Sequence, residues 1–331
     1  MKIVTDEQAK LFNTFLDCHD SFIIAGHKEP DGDCISSSIG VAAILEKKGK
    51  PYQLISAGPF KRTELKSYEK RFARTAVICH SEKKQGLIIV DCGELKRIGD
   101  IFPSEESLFA FPKENIFIID HHKTSIPETN NNIIEPETPA TACLVQQLYE
   151  KLIGKPSLDI AEILFFGLAT DTGYFHFLDE KSAEVFNLAS RLVSYGVNPR
   201  TIYDNMTNGK PFSTRKLLGL MLVHAEQHFN GKLITSYETM DDTKRLGAEG
   251  RDSDSLYQLL LSSADAEAVV FIRQETEQTC TMGFRSRDKI DVSQIASVFG
   301  GGGHKNAAGC STTGTIDNLL PKVLKEFEAH F

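Results

Sequence analysis

Three short apolar runs, residues 22–25, 86–90 and 116–119, constrain this chain more than any other feature, because each ends on residues that do not belong in a core. The first runs into Gly26-His27, the second into Asp91 and the third into Asp120-His121-His122. Each run is too short for a helix and too continuously apolar for a sheet with one wet face. They read as buried strands of a parallel sheet, alternating with helices that cover both faces. In open α/β sheets ligands bind beyond the carboxyl ends of the strands, which is where these polar residues stand.

Helical patterns fill the intervals. Thr5 and Gln8 form a capping box before the apolar stripe Leu11, Phe12, Phe15, Leu16. After a polar loop reaching Asp33, a helix is expected over residues 36–48, stopped by Gly49-Lys50-Pro51; others are expected over 141–153, 158–169 and 181–195. Thr207-Asn208-Gly209-Lys210-Pro211 is turn-rich, and residues 213–229 read as one long connecting helix. Beyond it, strands at 232–237, 268–273 and 279–284 and helices at 255–262 and 291–299 describe a smaller α+β unit. A length of 331 residues, at roughly 100 to 200 per domain, predicts a catalytic domain over 1–205, a linker with its helix over 206–229 and a second domain over 230–331.

The loop His27-Lys28-Glu29-Pro30-Asp31-Gly32-Asp33 crowds an imidazole and two carboxylates together. An Asp-Gly-Asp by itself is more often a solvated turn, but here a cation among the three side chains would relieve their repulsion. Asp91 taken alone is usually a turn or helix cap, a weak signal by itself. His121 and His122, adjacent at the end of a core strand, are expected to point in opposite directions, one to a metal and one to a ligand. Asp171 ends an apolar helix in Gly167-Leu168-Ala169-Thr170-Asp171-Thr172-Gly173. Together His27, Asp31, Asp33, Asp91, His121 and Asp171 suffice for two five- or six-coordinate cations sharing a bridging group. Such a pair, about 3.5 to 4 Å apart, activates water against a phosphate ester.

Near the other end, Gly300-Gly301-Gly302-Gly303-His304-Lys305 strips side chains from a loop so that a ligand can approach the backbone, and the following His-Lys pair adds positive charge for an anion. A flexible linker fits less well, because Ala307-Ala308-Gly309 follows. Composition narrows the partners. A net charge of −8 opposes a general grip on long or duplex nucleic acid, so any polyanion must be held locally. Seven scattered cysteines without a C-x-x-C pair suit a reducing cytoplasm. The polar start Met1-Lys2-Ile3-Val4-Thr5-Asp6 is not expected to act as a signal peptide, and no apolar run approaches the ~20 residues of a membrane span.

The order of these motifs resembles the DHH phosphoesterases that carry a C-terminal DHHA1 domain. His27-x-x-x-Asp31-x-Asp33, Asp91, Asp120-His121-His122 and Asp171-Thr172-Gly173 match the N-terminal motifs, and Phe284-Arg285-Ser286, Asp291-Val292 and residues 300–304 match the C-terminal domain. Ser36 stands where many members have glycine, which bears on how closely a phosphate approaches the following helix. The compact form is similar to the NrnA-type enzymes. That resemblance implies hydrolysis of short oligoribonucleotides to 5′-mononucleotides and of 3′-phosphoadenosine 5′-phosphate (pAp) to AMP. It implies two Mn²⁺ ions, with Mg²⁺ or Co²⁺ as substitutes: one held by His27, Asp31 and Asp91, the other by Asp33, Asp91, His121 and Asp171. By the same resemblance His122 contacts the scissile phosphate, Asp120 orients its neighbours, and Arg285, Ser286, Gly301, Gly302, Gly303 and His304 bind substrate. Short single-stranded RNA or pAp is then the partner, with a homodimer compatible. A di-AMP phosphodiesterase, a RecJ-like exonuclease and a non-catalytic nucleotide-binding module are the competing readings.

Overall fold

The three apolar runs become neighbouring strands. β1 (Ser21–Ala25), β2 (Tyr52–Ile55), β3 (Gln85–Val90), β4 (Ile116–Asp120) and β5 (Asn132–Ile134) form one sheet in the order β2-β1-β3-β4-β5, every pair parallel. This computed structural model describes residues 3–78, 84–103, 111–123, 125, 129–247, 250–287 and 289–331. The chain divides into two units, Met1–Gly209 and Lys210–Phe331. In the first, strand residues alternate between two cores. Phe22, Ile24, Ile88, Val90, Phe117 and Ile119 pack in the larger one, with the helices α1 (Asp6–Asp17), α2 (Gly32–Lys47), α3 (Thr141–Leu152) and α4 (Leu158–Asp171). Ile23, Ala25, Leu87, Ile89, Ile116 and Ile118 face a thinner layer built by Leu95, Ile98, Ile101, Phe102 and Phe111. Burying each such side chain stabilises the fold by roughly 1.5–3 kcal/mol, which is why residues 22–25, 86–90 and 116–119 hold no polar side chain.

The chain leaves β1 toward β2 on one side and reaches β3 on the other, so the strand order reverses at the β1/β3 pair. Their carboxyl ends, followed by His27 and holding Asp91, therefore flank the crevice in which such sheets bind ligands. α2 begins at Gly32, earlier than the expected residue 36. Asp31 is its N-cap, accepting the Cys34 amide at 3.1 Å, so part of what reads as a polar loop is the first turn of a helix. α2 is buried along almost its whole length, and its serines lie in the interior. A Cβ at Gly167 of α4 would sit 2.6 Å from the Cβ of Ser36, so glycine there lets α2 and α4 approach closely. Ser36 is thus packed against α4, and its hydroxyl is not turned toward an open ligand face.

The second unit holds β6 (Glu226–His228), β7 (Leu233–Glu238), β8 (Ala268–Gln274), β9 (Thr279–Ser286), β10 (Gly302–His304) and β11 (Ala307–Thr313) in the order β10-β11-β9-β8-β7-β6. All pairs are antiparallel except β7 with β8. The long helix expected over 213–229 is instead a shorter one, Phe212–Val223, followed by β6. Leu217, Leu218 and Met221 of that helix pack on Ile234, Val269 and Phe271, so it is one wall of this unit's core. Helices Val292–Val298 and Ile316–Glu328 contribute to the core of the opposite face. The glycine run is not wholly a loop. Gly302–His304 pairs with Ala307–Gly309 as a hairpin, and a Cβ at Gly301 would meet the Gly309 carbonyl at 2.3 Å. Gly302, by contrast, faces open space.

Candidate functional site

His27, Asp31, Asp33, Asp91, His121 and Asp171 converge although β1, α2, β3, β4 and α4 deliver them from distant parts of the chain. His27 Nε2 lies 3.5 Å from Oδ2 of Asp91 and 3.8 Å from Oδ2 of Asp31. His121 Nε2 lies 3.5 Å from the other Asp91 oxygen, 3.3 Å from Asp171 and 3.9 Å from Asp33. Each histidine is tethered through Nδ1 to a backbone carbonyl, His27 to Lys28 at 2.9 Å and His121 to Thr138 at 3.1 Å. That tether commits Nδ1 to its proton and leaves Nε2, aimed at the carboxylates, as the nitrogen that can give up its proton and take a cation.

Electrostatics makes the cluster incomplete on its own. Burial, reinforced by Asp91, Asp171 and Asp31, pushes the Asp33 carboxyl well above its ordinary range. Asp171 is raised likewise by burial, with Asp31 and Asp91 adding to it and His121 opposing. Burial favours neutral imidazoles, yet Asp31 and Asp91 outweigh it and push His27 up to about 10, and Asp171 and Asp91 take His121 to about 9. His121 Nε2 is buried and has no hydrogen-bond partner. Imidazole nitrogens and several carboxylate oxygens facing one small space fit divalent cations held by mixed nitrogen and oxygen donors.

Asp120 plays a different part. It is fully buried at the end of β4, accepts the amides of His121 and His122 at 2.8 and 3.3 Å, accepts His122 Nδ1–H at 2.8 Å and takes the Ser125 hydroxyl. These bonds turn the chain sharply as it leaves the strand. His121 and His122 therefore do not point in opposite directions as expected; their ring centroids are 4.5 Å apart, and both face the same cluster. Asp91 itself sits at φ +59°, a strained conformation for a non-glycine residue, while its amide extends the ladder to Ile119 at 2.9 Å.

In the second unit, register aligns the candidate substrate residues. Arg285 pairs with Ala307, and Ala307 with His304, so Arg285 and His304 point to one side of the sheet with only a methyl group between them. Ser286 is not brought to that side. It is buried, and its hydroxyl donates to the Ile290 carbonyl at 2.7 Å.

Residues 21–168 match the N-terminal domain of the DHH family, and residues 230–331 match the DHHA1 domain. A Thermus thermophilus protein named bifunctional oligoribonuclease and PAP phosphatase NrnA is 30% identical over 304 residues, spanning 91% of this chain and 87% of that protein. The chain belongs to the DHH/DHHA1 family of phosphoesterases. Among solved structures, an exopolyphosphatase-related protein from Bacteroides fragilis shares the fold with a TM-score of 0.83 at 24% identity, covering 99% of this chain and 98% of that one. A RecJ exonuclease bound to manganese shares it with a TM-score of 0.52 at 16% identity, covering 98% and 94%.

DHH-family enzymes depend on divalent metal, and the motif residues of this DHH/DHHA1 chain form a cluster suited to it. Residues outside those motifs also reach the cluster. The Thr141 hydroxyl donates to Asp91 Oδ1 at 3.0 Å, and the amides of Thr141 and Ala142 donate to Asp33 at 2.6 and 2.7 Å. Cys34 lies with His27 and Asp91, its sulfur only 2.2 Å from where a Cβ at Gly26 would stand, so position 26 must be glycine. Nothing local announced Thr141, since its partners are far away in sequence; Cys34 and Ser125 were adjacent to recognised motifs.

Proposed function

We propose that this DHH/DHHA1 enzyme hydrolyses short oligoribonucleotides to 5′-mononucleotides and pAp to AMP, using two divalent cations with Mn²⁺ preferred. The supporting observation is the split orientation of Asp91, one oxygen 3.5 Å from His27 Nε2 and the other 3.5 Å from His121 Nε2. A carboxylate so placed suits a bridge between a cation held with His27 and Asp31 and another held with Asp33, His121 and Asp171. Bound there, such ions would neutralise charge on phosphoryl oxygens and acidify water.

The remaining work belongs to the chain. Asp120 holds His122 through Nδ1–H and so fixes this partly exposed ring, whose Nε2 donates to a phosphate oxygen when the ring is an imidazolium. The Thr141 hydroxyl fixes the plane of the Asp91 carboxylate. In this reading residues 1–205 carry the catalysis, and Arg285 and His304 of residues 230–331 bind substrate phosphate. The name of the Thermus relative supports this substrate class, and among the described residues no helix is long and apolar enough to cross a membrane. Turnover of pAp, a diribonucleotide and cyclic di-AMP should be compared with Mn²⁺ present. Preference for cyclic di-AMP over both others would replace this reading with a cyclic-dinucleotide phosphodiesterase.

A further inference from the structure

The ring of Tyr257 lies beneath the guanidinium of Arg285. The Arg285 guanidinium carbon is 4.5 Å from the ring centroid, and its Nη1 donates to the Phe284 carbonyl at 3.0 Å. Tyr257 sits on helix Ser253–Leu261, buried, with Phe271 of β8 packed edge-on against it at 6.4 Å. Its hydroxyl lies 1.9 Å from where a Cβ at Gly283 would stand, so the ring can cross β9 only because residue 283 is glycine. Arg285 is therefore held on one side by a fixed aromatic face and at one nitrogen by a backbone carbonyl.

The surrounding sheet shows what that fixation serves. Gly283 pairs with Gly309 and Gly309 with Gly302, while in the next row Arg285 pairs with Ala307 and Ala307 with His304. These residues share one side of the sheet, which is floored by glycine and alanine between two functional side chains on strands roughly 10 Å apart. An arginine free to rotate would sweep across this trough. Stacked on Tyr257, its planar donor fork is held in one orientation beside the trough.

We infer that Tyr257 is a positioning residue for substrate binding: its ring holds Arg285 in the orientation that receives a phosphate group of the nucleotide. This rests on the proposed phosphate-binding role of Arg285. Cation–π support of this kind is a modest attraction, and its loss should raise KM for pAp about tenfold. Tyr257→Leu should show that rise with kcat and bound metal unchanged, Tyr257→Phe should restore the wild-type KM, and Tyr257→Leu should add nothing in an Arg285→Ala background. Gly283→Ala, which displaces the ring without removing it, should reproduce the KM defect and decides the matter if Tyr257→Leu does not fold. An unchanged KM in the folded Tyr257→Leu protein, or a full additional loss on top of Arg285→Ala, overturns the inference while leaving Arg285 in place. An Arg285→Ala protein with wild-type KM removes the role of Arg285 itself, and that of Tyr257 with it.

Discussion

Asp33 accepts the backbone amide of Thr141 at 2.6 Å, so a carboxylate in the first turn of α2 caps the start of α3. Ala140, the N-cap of α3, makes no side-chain capping bond, which leaves the buried amides of Thr141 and Ala142 dependent on Asp33. Asp33→Ala and Asp33→Asn both remove the charge, but only the alanine removes every acceptor. The alanine protein should be less stable than the asparagine protein by about 1–3 kcal/mol. Urea unfolding in chelator measures the difference, and coincident midpoints would show that Asp33 does not cap α3.

Thr141 also donates its hydroxyl to Asp91 at 3.0 Å. Thr141→Val keeps the shape and removes the donor, so metal affinity should weaken by roughly 10- to 100-fold. Asp91→Ala should abolish turnover and leave the protein folded, with metal content below that of any variant lacking a ligand to a single cation. Metal titration followed by activity separates the two, and a Thr141→Val protein with wild-type affinity would remove the hydroxyl from the metal centre.

Chelation should stop hydrolysis, and Mn²⁺ should restore it better than Mg²⁺. Magnesium favours oxygen octahedra with retained water, whereas His27 and His121 both aim Nε2 into the cluster. Ca²⁺ should not restore it. Equal maximal rates with Mg²⁺ and Mn²⁺ across a concentration series would count against imidazole ligation.

The charged cluster sets a pH dependence for the metal-free protein. His27 at about 10 and His121 at about 9 stand above the unfolded histidine value of 6.5. Their contribution to stability is complete below that value and is lost as pH rises through the folded values. Asp33 and Asp171, also raised, act in the same direction. Thermal unfolding in chelator should therefore show a lower Tm at pH 9.5 than at pH 6.5. Mn²⁺ should bind more tightly as pH rises over that interval, releasing protons detectable by calorimetry in buffers of different ionisation enthalpy. A metal-free Tm that climbs with pH contradicts the assignment.

With a net charge of −8 and Arg285 and His304 as the proposed phosphate contacts, few phosphates gain binding energy. Rates per end should be highest on the shortest oligoribonucleotides. A plot of log binding constant against log salt should have a slope of only about −1 to −2, as expected for few phosphate contacts with a single strand. Rates that rise with length and fall steeply with salt would favour a groove-binding exonuclease.

The parallel sheet and its ligand edge were legible in the sequence because burial on two faces demands unbroken apolar runs, and several histidines and aspartates gathered at the ends of such runs are more than turn caps require. The Thr5/Gln8 capping box was legible for the same kind of reason, since both partners lie within one turn. The start of α2 was not, because Gly32-Asp33-Cys34 carries site residues where an apolar periodicity would otherwise mark a helix. Strands Tyr52–Ile55 and Asn132–Ile134 and helix Pro199–Thr207 also went unanticipated, being short and sparse in apolar pattern. Local sequence thus determined which residue types stand at the strand ends and which residues must be buried. Only the tertiary structure decided that His121 and His122 face the same way, that Ser286 turns from Arg285, and that Thr141 reaches both Asp33 and Asp91. Those outcomes depend on hydrogen bonds and packing between distant segments, and such contacts leave no period or spacing along the chain.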